Sequence, residues 1–303
     1  MGTTSWRGQI DWALRAIDRI SESKYQAKRE QDWQPGEAVA GLFSHGYRNT
    51  VFDRAVTFTN WLREEYPTVH LFREVEHEMT AEFLGEKAET CTPDTVRTLL
   101  ATLKKLQEGL CALNWIREDI VPPEWQVSGR NPPRGPYAPD EAKALQQWVE
   151  RRDAEYGQAL RFILASGARI DETLHLRADK IFADEKRVEL IGKGGRVRRI
   201  HVLYTDALSE LDLSRRFVYL NGTDRPNWKD NLERIVRQGS DALNIRRRGV
   251  HGFRGTAAGE FISMKQALGF TEVEARRELA QWLGHNPQRT EVTYAYVPKT
   301  RDI

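Results

Sequence analysis

A series of side chains in the second half of the chain has types and spacings that could do chemistry. Arg169 and Glu172 lie three apart in SGARIDETLHL, and Lys193 lies in the glycine-rich GKGGRVRRI. His251 and Arg254 lie three apart in HGFRGTAA, and His285 opens LGHNPQRTEVTYAYVP with Tyr294 and Tyr296 behind it. An arginine offers a planar fork of donors that suits phosphate or carboxylate. A histidine carries a proton near neutral pH, and a tyrosine hydroxyl is a nucleophile once activated. Taken singly, each has a plainer reading. Arg169 suits a surface or helix-pairing role, Lys193 a solvated turn, His251 with Arg254 a capping pair, and His285 a loop. The tyrosines suit packed or rim aromatics.

What these residues can do depends on the elements that carry them. EYGQALRFILASGARIDETLHL reads as an apolar helix, a break at Ser166-Gly167 and a second short helix, which puts Arg169 at a helix start. RVELIGKGGRVRRIHVL reads as two β-prone runs about a glycine-rich turn, a hairpin with Lys193 at its tip. His251 and Arg254 share one face of a helix, and helices return from Trp228 onward. The first part of the chain is helical throughout. Trp6, Ile10, Ala13 or Leu14, and Ile17 recur at helical spacing, as do Val51, Ala55, Phe58 and Leu62. Thr92-Pro93-Asp94 is a cap with proline at the first helical position. Between the halves, residues 121–142 hold six prolines and two glycines, which excludes a continuous helix or a central strand. The expected organisation is a helical domain over 1–121, a Pro-rich linker over 122–137, and a mostly helical domain with one small antiparallel sheet over 138–303.

Composition narrows the class. The 303 residues are 30% charged and 40% hydrophobic, and no apolar run reaches the ~18 residues of a membrane span. The first residues lack the pattern of a secretory signal. Two cysteines, Cys91 and Cys111, give neither a disulfide framework nor a CxxC metal pair, and point to the cytoplasm. The net charge of +2 hides an asymmetry. Residues 131–303 carry 30 basic and 24 acidic side chains, a net of +6, while residues 1–130 carry 16 and 20, a net of −4. The excess is concentrated in GKGGRVRR (192–199), SRR (214–216) and NIRRRGVHGFR (244–254). A single such run is usually a solvated face; three in one half suit a polyanion such as DNA.

The order of these motifs, SGARIDETLHL, GKGGRVRRI, HGFRGTAA and LGHNPQRTEVTYAYV, resembles the tyrosine recombinase (phage integrase) family over residues 138–298. The resemblance implies a fold that is mainly α with a small antiparallel β-sheet. A helical, SAM-like core-binding domain would precede a mixed α/β catalytic domain. It implies site-specific cleavage and rejoining of DNA strands through a 3′-phosphotyrosine, with no cofactor and no metal. Arg169 and Arg254 would hold the scissile phosphate by paired, charge-assisted hydrogen bonds and stabilise the charge that builds on it. His251 and His285 would donate hydrogen bonds or assist proton removal, Lys193 would protonate the leaving 5′-oxygen, and Glu172 would support the arginine and histidine. A free tyrosine has a pKa of about 10, and these surrounding cationic or protonatable groups would favour its phenolate. Implied partners are double-stranded DNA recombination sites, three further copies of the chain in a tetramer, and accessory DNA-bending or directionality proteins. Gly255 stands where the family often has histidine.

Two spacings compete for the nucleophile. The usual family interval of nine residues after the motif histidine selects Tyr294; the usual Thr-x-x-Tyr context aligns Thr293 with Tyr296. Tyr296 is the expected nucleophile, because a two-residue insertion fits the loop around NPQ better than a change of helix register. Residues two apart on a helix point ~200° apart, so only one tyrosine faces the site. Other readings are a non-catalytic DNA-binding protein on the same fold, a type IB topoisomerase, and a metal-dependent hydrolase using His175, His251 and His285. The last matches no metal-ligand spacing.

Overall fold

Trp6, Ile10, Ala13 and Leu14 all turn inward from helix α1 (Trp6–Ala16), and Ser5 caps it by accepting the Gly8 amide. The computed structural model describes residues 5–34, 37–129, 135–192, 195, 197–219 and 227–298. The chain divides into two compact units, Met1–Pro132 and Pro133–Ile303. In the first, α1 is followed by α2 (Lys24–Glu30), α3 (His45–Glu65), α4 (His77–Thr90) and α5 (Pro93–Ala112). Their apolar faces close one core around Ile10, Leu14, Phe58, Phe83, Leu103 and Leu106. Pro93 occupies the first turn of α5, where its missing N–H costs nothing. α1 and α5 approach very closely: a Cβ on Gly109 would fall 2.2 Å from the Ala13 carbonyl oxygen.

The Pro-rich stretch over 122–137 is packed at both ends, because its apolar residues find cores to enter. Trp125 and Val127 lie against the helical core. Tyr137 is buried in the second unit with its ring 5.0 Å from Phe253, and its carbonyl accepts from Thr256. Residues 130–134 lie outside the described residues.

The second unit comprises α6 (Pro139–Glu150), α7 (Ala154–Ser166), α8 (Ile170–Leu174), the short strand β1 (Ile181–Phe182), β2 (Arg187–Ile191), β3 (Val197–His201), α9 (Asp206–Ser209), α10 (Trp228–Ala242), α11 (Val250–Ala267) and α12 (Glu272–Trp282). α7 is apolar on nearly every side and buries Leu160, Phe162 and Ile163; it packs against α6, α8, α9 and α11. The strands form an antiparallel sheet in the order β1-β2-β3, with Val188 opposite Ile200 and Leu190 opposite Arg198. The hairpin was legible in the sequence, whereas the two-residue β1 was not. No helix among the described residues is long and apolar enough to cross a membrane.

The close crossing at Gly109 gives a stability test. Gly109→Ala drives a methyl group into the α1 backbone, and overpacking of this kind costs about 1–3 kcal/mol. Denaturant unfolding of the variant should show that loss, with a lower midpoint and an unchanged slope.

Candidate active site

Glu172 is the point from which the site is built. α7 stops at Ser166 because Gly167 adopts a left-handed conformation (φ +57°) that closes the helix. Two residues later Arg169 takes the N-cap position of α8, and Glu172 occupies the third helical position. From there its carboxylate reaches back to accept the Arg169 amide at 2.7 Å and the Arg169 guanidinium at 2.8 Å. This local reach explains the three-residue spacing of the pair. Glu172 is only 3% exposed and also accepts from Arg198 at 2.7 Å, with Arg254 Nη1 at 3.9 Å.

Arg198 was not singled out in the sequence, where it reads as one member of a solvated basic run. Along β3, Val197 and Arg199 face outward while Arg198 and Ile200 face inward. An arginine thus takes a core position and a valine a solvent position. The usable signal is that inversion of the strand alternation. Besides Glu172, Arg198 donates to the Trp282 carbonyl at the end of α12.

Arg254 projects from the first turns of α11 and is 1% exposed. Its three nitrogens bind three segments: Nη1 donates to the Gly167 carbonyl, Nη2 to the Leu283 carbonyl at 2.7 Å, and Nε to the Tyr296 hydroxyl at 3.4 Å. Each terminal nitrogen has a second N–H that can be offered to an anion. His251, one turn earlier on the same helix face, places its ring 5.3 Å from that of Tyr296; the His285 ring is 6.5 Å away. Nε2 of His285 is buried and has no hydrogen-bond partner among the described residues.

The two tyrosines diverge. Tyr296 is 9% exposed and points into the cluster of Arg254, His251 and His285. The Tyr294 ring lies under the Arg276 guanidinium, 3.9 Å from its centroid. The segment is a 3-10 turn, Thr290–Ala295, which carries Tyr294 and has Tyr296 as its C-cap, rather than the expected α-helix. The Thr293 hydroxyl donates to the Thr290 carbonyl, and the amides of Tyr296 and Val297 both return to the Thr293 carbonyl. With about three residues per turn, positions two apart still face different sides.

Burial and charge set the protonation states. Burial alone would raise the pKa of Glu172, but Arg198, the Arg169 amide and Arg254 outweigh it and hold it below the ordinary carboxylate value. Burial lowers Arg254 to about 10, with Arg198 and Arg169 adding repulsion against the pull of Tyr296, so it stays charged at neutral pH. His285 falls to about 4, first through burial and then through repulsion by Arg169, Arg254, Arg289 and Arg198. It is therefore a neutral group at pH 7. A pocket of about 600 Å³ opens beside the cluster, lined among others by Arg169, Glu172, Arg198 and Gly284, with Gly192 at the end of β2 on its rim. Lys193, the next residue, lies outside the described residues. His175 is exposed and turns its Nδ1 to the Asp171 carbonyl. Among the described residues no three His, Cys, Asp or Glu side chains converge as a metal site requires, so His175, His251 and His285 do not form one.

No family profile and no curated protein matches the chain. Solved structures do. The XerH site-specific recombinase bound to difH substrate superposes with a TM-score of 0.64 at 14% identity, covering 98% of this chain and 95% of that one. A lambda integrase tetramer bound to a Holliday junction gives 0.67 at 14%, covering 100% and 80%. The Tn1549 transposon integrase in complex with transposon right end DNA gives 0.62 at 12%, covering 96% of each chain. The chain has the tyrosine-recombinase fold. Within the recombinase fold, identity this low is compatible with one architecture because packing tolerates extensive exchange of apolar residues at fixed patterning.

Two outcomes follow from the buried charges. Glu172→Gln removes the only carboxylate facing Arg198 among the described contacts, and breaking a buried pair in this way costs about 3–5 kcal/mol; thermal unfolding measures it. The second outcome concerns His285. Its pKa is depressed from 6.5 to about 4, so between these values the unfolded chain binds more protons than the folded one. Its contribution is complete above pH 6.5 and is lost as pH falls toward 4. His285→Gln should flatten the rise of stability with pH across that window when unfolding is followed at several pH values.

Proposed function

We propose that the chain is a site-specific DNA recombinase or integrase that cleaves and rejoins strands through a 3′-phosphotyrosine. The observation that carries this reading is the Tyr296 hydroxyl held by the Arg254 guanidinium, with the rings of His251 and His285 beside it. In this reading the scissile phosphate enters beside Arg169 and Arg254, whose free N–H groups meet its non-bridging oxygens. The Tyr296 oxygen attacks phosphorus, the bond from phosphorus to the 5′-oxygen breaks, and the 5′-oxygen takes a proton from Lys193. His251 and neutral His285 supply hydrogen bonds or accept the phenolic proton. Charge building on the phosphate is stabilised by fixed donors in a poorly solvated site, the circumstance in which such donors act most strongly. The phosphotyrosine keeps the bond energy, so a 5′-hydroxyl attacking it rejoins the strand without ATP.

The helical domain, 1–121, takes the core-binding role on duplex DNA, the segment 122–137 connects it, and the basic domain, 138–303, is catalytic. The assembly is a tetramer on two sites that exchanges strands through a four-way junction. The lambda integrase tetramer on a Holliday junction supports this by likeness of fold. The compartment is the cytoplasm, where DNA is accessible and the two free cysteines stay reduced.

The test uses duplexes enriched from a randomised pool by binding to the chain, nicked within the enriched sequence so that a cleaved end diffuses away. The wild-type chain should form a covalent protein–DNA adduct that withstands denaturant and forms equally in EDTA. Tyr296→Phe should abolish it and Tyr294→Phe should leave it. An adduct lost only in Tyr294→Phe would move the nucleophile to Tyr294; no adduct with any enriched duplex would leave a non-catalytic DNA-binding protein.

A further inference from the structure

Arg276 lies outside the family motifs, and no part of the chemistry above uses it. It projects from α12 and is 3% exposed. A buried guanidinium is costly unless each of its faces is used. Here Nε donates to Glu272 at 2.8 Å, and Nη1 donates to the Thr293 hydroxyl at 3.1 Å and to the Val297 carbonyl at 3.0 Å. The flat face covers the Tyr294 ring at 3.9 Å. Thr293 and Val297 bracket Tyr296 in the chain. Thr293 is itself fully buried, and its carbonyl accepts the Tyr296 and Val297 amides.

We infer that Arg276 is the positioning residue that selects Tyr296 over Tyr294 as the group presented to Arg254. By fixing the residues on either side of Tyr296 it sets the rotation of the 3-10 turn. By stacking on Tyr294 it occupies the ring that would otherwise compete. The inference rests on the phosphotyrosine reading and adds to it a reason for the choice of nucleophile. It also gives the Thr-x-x-Tyr register a physical content: the threonine hydroxyl is where the guanidinium grips the turn.

The same nicked duplexes test it, with the rate of adduct formation, DNA affinity and the modified tyrosine (by peptide mass spectrometry) as readouts. Arg276→Gln should slow adduct formation by about 10- to 100-fold at unchanged DNA affinity, the size expected when a reacting group is misplaced by about 1 Å. In a Tyr296→Phe background, which alone should be inert, adding Arg276→Gln should produce an adduct on Tyr294. A merely structural arginine predicts no such transfer. Thr293→Val keeps Arg276, its ion pair and its bond to the Val297 carbonyl, and removes the hydroxyl that accepts from Arg276 and donates to the Thr290 carbonyl. It should slow the reaction in the same direction, and it carries the test where Arg276→Gln fails to fold. Wild-type rates in both single variants, or a double variant as inert as Tyr296→Phe, overturn the inference while leaving the phosphotyrosine reading intact. Absence of any adduct from the wild-type chain overturns both.

Discussion

Glu172 keeps a negative charge in a place with almost no water, and the second unit is arranged to make that tolerable. A carboxylate so placed must be matched by cations and donors, and it is: by Arg169 from its own helix, Arg198 from β3, and Arg254 more distantly from α11. Arg198 and Arg254 have donors to spare, and these go to the ends of other elements. Arg254 ties the end of α7 to the residue after α12, and Arg198 ties β3 to the last residue of α12. One buried acid thus brings two helix ends, a strand and a helix start to one place. Three guanidinium groups about one carboxylate leave positive charge uncompensated. That surplus adds to the burial that lowers the pKa of His285, and it makes the adjoining pocket favourable for an anion.

Much of this was readable from residue order, for local reasons. Gly167, Arg169 and Glu172 fall within one helix-break-helix signal, and a capping interaction spans only three residues. His251 and Arg254 share a helix face, so their common approach to Tyr296 follows from periodicity. Other features depend on contacts that sequence does not encode locally. Arg198 sits in a run of basic residues, next to the exposed Arg199. Only the pairing with β2 reveals which way it faces. The neutrality of His285 arises first from its burial and then from four arginines contributed by four different segments. The 3-10 geometry of the tyrosine segment comes from Thr293 binding within its own turn and to α12, which local patterning reads as a helix. Lys193 lies outside the described residues, so its place rests on motif order alone.

The tyrosine segment shows how a short, poorly cooperative element can be held. Six residues of 3-10 helix have little intrinsic stability. The order of this segment comes from outside it, through Arg276 on one side and Arg254 on the other. Two buried arginines on neighbouring helices grip opposite faces of one turn.

Arg198 has a further consequence. Side chains on a strand alternate, so a shift of one residue in the β2–β3 pairing would turn Arg198 to solvent and bring Val197 inside, stranding Glu172. The buried ion pair is therefore a register lock placed directly after the hairpin tip. Strand pairing before the tip and the lock after it fix both flanks of the loop between Gly192 and Val197. The same ion pair that holds the charge cluster together thus also sets which way every side chain of β3 faces.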